Sequence, residues 1–422
     1  MNIAFYLFGS LFICFAMGIP ISVSLGVSAL IGAIILDVPL VIIPQRIFTS
    51  LDASSLMAIP FFVLAGNLMT EGGISKYLVN LANSLIGRAR GGLVYAGILA
   101  SAFFAALSGS APATVIAIGA TLYPEMIKLG YPKARAAGLF VVSGGLGPII
   151  PPSIVMIVYC TASNNSVGNL FKSGIGVGLT IVVVLMITAA IFARIEKWPK
   201  NVDKFSPLLF VRTFFGAIPA LIIPVIILGG IYSGLLTPTE SGAVALIFGF
   251  IIGCFYYKEI NKKNIGPILL NSAKSSAMVL FIISASSAFS WIFTYAGVSN
   301  DLVSWIQTFN LTSMAFALTV GAIVVILGIV IDAMAIVVLM VPLLWPIAQS
   351  MGIDGTYFGM IVCMGAVIGS MTPPVATSIF AASSFSKLKV GQIAIGQAPF
   401  FIGFFVVYII VIVFPSLSLL LL

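Results

Sequence analysis

The sequence predicts an all-α polytopic membrane protein of two inverted-topology repeats, with about 10–11 transmembrane helices plus two re-entrant hairpins carrying broken helices. Three observations lead there. Only 7% of the 422 residues are charged, against about 25% in a soluble domain whose surface faces water, and mean hydropathy is +1.23. Sliding the chain by 222 residues superposes glycines and prolines of one half on those of the other. The basic residues gather in a few clusters that a single membrane orientation explains.

Apolar stretches long enough to cross a hydrocarbon core of about 30 Å recur from end to end. Predicted spans fall near 3–17, 21–37, 55–71, 136–163 and 173–193, then 213–231, 238–257, 276–297, 356–385 and 391–415. The stretches 91–123 and 312–346 are each interrupted halfway, as expected of hairpins that enter and leave by one side. Shorter amphipathic pieces at 74–87 and 264–275 are expected along the membrane surface. The chain runs from Met1 into apolar sequence without a Lys or Arg. A cleaved signal peptide normally begins with a positive region, so 3–17 is expected to stay as a first span.

Arg88, Arg90, Lys128, Lys133 and Arg135 bracket the first hairpin, and Arg194, Lys197, Lys200, Lys204 and Arg212 fill the long polar loop. Lys258, Lys262 and Lys263 form a third cluster, Lys387 and Lys389 a fourth. With a periplasmic N-terminus all four lie in the cytoplasm, and only Arg46 and Lys172 of 19 basic residues fall outside. Their role is then to orient spans in an inner (plasma) membrane rather than to bind nucleic acid. The four cysteines form no metal or disulfide pattern, and no histidine is present to serve as zinc ligand, general base or proton relay.

At the offset of 222, Pro124, Gly130, Gly147, Pro151 and Pro152 match Pro346, Gly352, Gly369, Pro373 and Pro374. Residues 1–212 would form the first repeat, with hairpin 91–123 and broken helix 136–163. Residues 213–422 would form the second, with hairpin 312–346 and broken helix 356–385.

Each half holds two interruptions that could carry function. The hairpin breaks are Ser108-Gly109-Ser110-Ala111-Pro112-Ala113-Thr114 and Val330-Ile331-Asp332-Ala333. The span breaks run from Gly147 to Ser153 and from Gly369 to Val375. A Pro-Pro pair in mid-span removes backbone donors, and the carbonyls it orphans are costly in lipid unless they line a cavity or coordinate something. Such carbonyls suit a sodium ion, and the N-terminus of the next half-helix suits an anion. Single breaks often only permit close packing, but paired breaks in corresponding halves point to a transport site. Asp332 is the one acid deep in an apolar stretch, costly enough to be functional by default, with a hairpin-tip anchor as the plainer role. Glu240 reads as a helix cap, and Asn67, Asn164 and Asn165 as span-end polar residues. No Arg or Lys falls in the predicted core, so a carboxylate is expected to rest on helix N-termini, hydroxyls and sodium.

These residues carry a resemblance. Ile59-Pro60-Phe61-Phe62, Gly66, Glu71-Gly72-Gly73, Arg90-Gly91-Gly92, Ser108-Gly109-Ser110, Gly147 to Ser153, Thr237-Pro238-Thr239-Glu240-Ser241, Asp332-Ala333 and Gly369 to Pro374 together resemble the large membrane (M) subunit of the tripartite ATP-independent periplasmic (TRAP) transporters. The resemblance implies an elevator that imports an organic acid, of the sialic acid or C4-dicarboxylate class, with sodium as coupling ion and no other cofactor. It also implies two partners: a periplasmic substrate-binding protein and a small four-helix membrane subunit, expected here as a separate chain. By matching motifs, one sodium site would use Ser108, Gly147, Ile150 and Pro152, and the other Gly328, Gly369, Thr372 and Val375. Substrate would meet Ser110, Ser153 and Asp332, while Thr114 has no assigned role. A stand-alone sodium-coupled dicarboxylate or anion symporter of the same architecture is the alternative. A channel fits broken hairpins less well, and an intramembrane protease would need a second acid or a histidine.

Overall fold

The computed structural model describes residues 3–86, 90–199, 206–309, 311–374 and 376–422, and every extended regular element among them is a helix. The first half contains α1 (Ile3–Ala16), α2 (Ile21–Ile35), α3 (Ile42–Leu51), α4 (Ala58–Glu71) and α5 (Ile74–Ile86). It continues with α6 (Gly92–Ser108), α7 (Ala111–Lys128), α8 (Lys133–Gly144), α9 (Ile154–Ser163) and α10 (Val167–Ile195). The second half contains α11 (Pro207–Tyr232), α12 (Pro238–Ile251), α13 (Ile265–Tyr295), α14 (Val298–Thr308) and α15 (Ser313–Gly328). After these come α16 (Ala333–Ser350), α17 (Gly355–Ser370), α18 (Thr377–Ser386), α19 (Val390–Val413) and a terminal turn, α20 (Pro415–Leu419).

Helix starts recur 222 residues apart: α7 opens at Ala111 and α16 at Ala333, α8 at Lys133 and α17 at Gly355. Both apolar stretches with a central interruption are helix pairs with short links, α6–α7 and α15–α16. Both broken spans are two helices with an irregular segment between, α8–α9 and α17–α18. Among the described residues seven helical stretches are long and apolar enough to cross a membrane alone: 54–71, 167–195, 207–232, 238–256, 265–295, 333–350 and 390–413. Most of the other predicted spans are shorter helices or broken pairs.

One element departs from expectation. Residues 264–275 are not a separate surface helix but the first turns of α13, which runs unbroken for 31 residues. Its helix breakers, Gly266 and Pro267, sit in the first turn, where a missing N–H costs nothing. The short helices α3 and α14 were not distinguished in the sequence, being too short to stand out from the apolar background. Glu240 is the cap it was read to be. It closes a capping box in which its Oε2 accepts from Thr237 N at 2.7 Å, while Thr237 Oγ1 accepts from Glu240 N at 3.2 Å.

The buried centre is made by the hairpins and broken helices. All sixteen residues of α17 are buried, as are residues 136–149 through the first break. A second apolar cluster joins α1, α2 and α13, and meets the centre through Leu339 and Leu343 of α16. The halves interlock: α7 packs on α18, and α16 packs on α9. Pro342 inside α16 leaves the carbonyl of Val338 without its helical donor. Ser286 of α13 supplies one, Oγ donating at 2.8 Å.

Candidate functional site

The first hairpin turns on two residues. Gly109 ends α6 with φ +60, the left-handed geometry that glycine adopts without steric cost, and Ser110 is extended ahead of α7. The turn is tied by hydroxyls. Thr114 Oγ1 lies 2.9 Å from Ser108 Oγ and donates to the Ser110 carbonyl at 2.8 Å, and Thr114 is fully buried. This turn seats on the broken span with backbone against backbone. A Cβ on Gly147 would lie 2.5 Å from the Ser110 carbonyl oxygen, and one on Gly109 would lie 2.7 Å from that of Pro152. A Cβ on Gly66 would lie 3.1 Å from the Ser108 oxygen, so α4 closes on the same point.

Within the break, Pro151 and Pro152, joined by a cis peptide, cannot donate to the carbonyls of Gly147 and Pro148. The Pro148 oxygen is satisfied by Ser153 Oγ at 2.6 Å. Among the described residues nothing donates to the carbonyl oxygens of Gly147, Ile150 or Pro152. The carbonyl oxygens of Ile149 and Pro151 are likewise without a donor among the described residues. Of these unengaged oxygens, those beside the hydroxyl-rich turn can accept a hard cation, which prefers oxygen ligands.

The second half repeats the contact with different chemistry. Gly328 ends α15 and Gly369 lies near the end of α17; a Cβ on Gly328 would lie 2.7 Å from the Gly369 Cα. Pro373 and Pro374 follow, again with a cis bond. The Gly369 carbonyl accepts from Thr372 N at 2.8 Å, leaving its second lone pair, and Thr372 Oγ1 donates back to Ile368. Gln397 of α19 reaches in, Nε2 donating to the Met371 carbonyl at 2.8 Å.

Of the residues singled out by sequence, Ser108, Ser110, Gly147 and Pro152 are brought together, as are Gly328, Gly369 and Thr372. Ile150 belongs to the same break, with its side chain packed over Gly178 of α10. Val375 lies outside the described residues. Ser153 caps α9, accepting from Met156 N at 3.3 Å, and is fully buried, so in this conformation it offers a substrate no surface. Asp332 caps α16, its Oδ1 accepting from Met334 N at 3.0 Å. Chain surrounds this position densely, yet the side chain keeps an open face. The expectation of an enclosed charge is therefore corrected: the carboxylate stands just ahead of the first turn of α16 with part of its surface open. Sequence reasoning left Thr114 without a role and missed Gln397; the hydroxyl at Thr114, four residues after Ser110, was the available signal for the first. Asn67 is more than a span-end residue, since its Nδ2 donates to Ser272 Oγ of α13 at 2.7 Å.

Comparison with known proteins gives four findings. The family described as the tripartite ATP-independent periplasmic transporter, DctM component, matches residues 8–417. The chain is 35% identical to a C4-dicarboxylate TRAP transporter large permease protein of Rhodobacter capsulatus, covering 99% of this chain and 98% of that one. It is 36% identical to an isethionate TRAP transporter permease protein of Oleidesulfovibrio alaskensis, over 92% of this chain and 61% of that protein. In structure it is similar to the YdaH transporter of Alcanivorax borkumensis, described as having an unusual topology. The TM-score is 0.63 at 16% identity, with 88% of each chain covered.

Proposed function

The chain belongs to the tripartite ATP-independent periplasmic transporter family as its DctM component, the large permease, and on that premise we propose that it imports an organic acid with sodium as the coupling ion. It is a membrane transport subunit and not an enzyme. The cargo class is a small carboxylate or related anion, C4-dicarboxylates and sialic acid included. A periplasmic binding protein would deliver it, and a small membrane subunit would complete the permease. The N-terminus would be periplasmic.

One observation carries the sodium reading: unengaged carbonyl oxygens in the first break, placed against the tip of a hairpin. Ser108, Gly147, Ile150 and Pro152 would hold one ion, and Gly328, Gly369, Thr372 and Val375 a second. The substrate would sit by the hairpin tips, near Ser110 and Asp332, with Ser153 reached only after rearrangement. Two halves of inverted topology, 1–212 and 213–422, would let the hairpins and broken helices move as one body. That is an elevator, with α1–α5 and α11–α14 as its fixed frame.

The test is uptake into proteoliposomes holding the permease, its small subunit and its binding protein. Succinate, isethionate and sialic acid are offered under an inward Na⁺ gradient. Uptake of at least one, rising more than linearly with Na⁺, is expected. Undiminished uptake with choline in place of Na⁺ would refute the coupling.

A further inference from the structure

A cavity of about 520 Å³ opens between α3 and α13 on one side and α9 and α16 on the other. Its position is informative. α9 and α16 are the helices that begin where the interruptions of the first broken span and of the second hairpin end, at Ser153 and Asp332. Val158 and Val338 line the cavity, some five and six residues into those helices, or about 7–9 Å from the two breaks at 1.5 Å per residue. α3 and α13 belong to the frame proposed above. One space thus lies within two helical turns of both breaks and is walled by both bodies.

Its chemistry is one-sided. Ser287, Ser290 and Thr294 project from α13 at helical spacing, and Thr49 and Thr161 face in from α3 and α9. Among the described residues the charged one in the lining is Arg46, and no carboxylate lines it. The Arg46 guanidinium lies over the Trp291 ring, 4.9 Å from its centre, and has no ion-pair partner among the described residues. A guanidinium set on an aromatic face keeps donors in its plane free for a carboxylate or sulfonate. The volume suits a small organic acid with some of its water.

We propose that this cavity is an anion antechamber: Arg46 draws the carboxylate or sulfonate of the cargo into the space, and the hydroxyl row of α13 carries it toward the hairpin tips. The proposal rests on the reading that the cargo is an organic anion, and it gives the chain an arginine contact that sequence reasoning did not expect.

The test needs no knowledge of the cargo. Cys254 is replaced by Ala, being the one native cysteine that is not buried, and Ser290→Cys is introduced as reporter. The purified permease in lipid nanodiscs is treated with two methanethiosulfonates of similar size, one bearing a sulfonate and one a trimethylammonium. Rates are normalised to a free thiol. The sulfonate reagent is expected to be favoured at the reporter thiol, and Arg46→Gln to lower that preference on the order of tenfold, the effect of one nearby charge at low screening. Arg46→Lys is expected to keep most of it. A separate reporter, Gly391→Cys, at an exposed position with open space around it, shows whether the Gln variant alters reagent preference away from the cavity, and its ratio should not move. A gel-filtration profile and melting temperature matching the parent show that the variant is folded. No sulfonate preference at the cavity reporter, or one indifferent to Arg46→Gln, overturns the proposal. The result is separable from sodium coupling: an anion-selective cavity in a permease that ignores Na⁺ would leave this inference standing and sink the other.

Discussion

Gly369→Ala tests whether the meeting of hairpin and broken helix forms an ion site. A Cβ at this position would lie 2.5 Å from the carbonyl carbon and 2.9 Å from the carbonyl oxygen of Gly328. The obstructing atoms are backbone on both sides, so no side chain can swing away. Restoring ordinary contact requires the two segments to part by about 1 Å, and overpacking of this kind costs about 1–3 kcal/mol. If the two backbones must be in contact to present their oxygens to sodium, most of that cost falls on the ion-bound state. At 1.4 kcal/mol per factor of ten, the apparent Na⁺ affinity should fall roughly five- to a hundredfold. The assay is a Na⁺ titration of thermal stability in detergent, followed by uptake at matched Na⁺. Gly229→Ala is the control, in a helix with nothing within 4 Å of the added carbon. There the change should be neutral or slightly stabilising. A Gly369→Ala protein whose Na⁺ midpoint matches that of the control would refute the reasoning, whatever its uptake.

Two further outcomes are expected. Asp332→Asn should fold as the parent does, since Asn caps a helix as well as Asp, whereas Asp332→Ala should lose about 1 kcal/mol; with the cap preserved, uptake by the Asn variant should still collapse if the charge serves sodium or substrate, and normal uptake would leave Asp332 a cap alone. Single cysteines at the exposed residues Asp37 and Lys262, probed in whole cells with an impermeant reagent, should label at 37 and not at 262; the reverse pattern would overturn the periplasmic N-terminus.

The broken elements were legible because proline and glycine act locally. Pro151-Pro152 and Pro373-Pro374 cannot lie in an uninterrupted helix, whatever surrounds them, and their recurrence at a fixed offset marked both breaks. The contact between Gly328 and Gly369 was less legible, since a glycine needed for close approach reads like any other in an apolar helix. What the sequence concealed was placement in three dimensions. Arg46 looked like a flanking residue of an external loop, yet it lines a cavity against Trp291, 245 positions further along the chain. Asp332 looked enclosed because its neighbours in sequence are apolar, but as an N-cap it sits ahead of the first turn and keeps an open face.

The treatment of orphaned carbonyls separates structural breaks from a site. A proline beyond the first turn of a helix, or within a break, frees an acceptor four residues back, and in a membrane that acceptor needs a donor. At several places this chain supplies one from a side chain: Ser286 to Val338 and Ser153 to Pro148. Gln397 also donates to a carbonyl inside the second break, that of Met371, which no proline has freed. The chain thus has hydroxyls and an amide to spend where a carbonyl only needs satisfying. At Gly147, Ile150 and Pro152 it supplies none among the described residues, although Ser108 and Thr114 stand beside them bonded to each other and to Ser110. The carbonyls of Ile149 and Pro151 in the same break are also without a donor among the described residues, so the break as a whole keeps open oxygens beside a hydroxyl-bearing turn. A cation that arrives and departs would account for this, because a permanent donor would compete with the ion at every cycle. If the proposed sodium coupling holds, the bare oxygens of the first break are the part of the fold shaped by transport and not by stability.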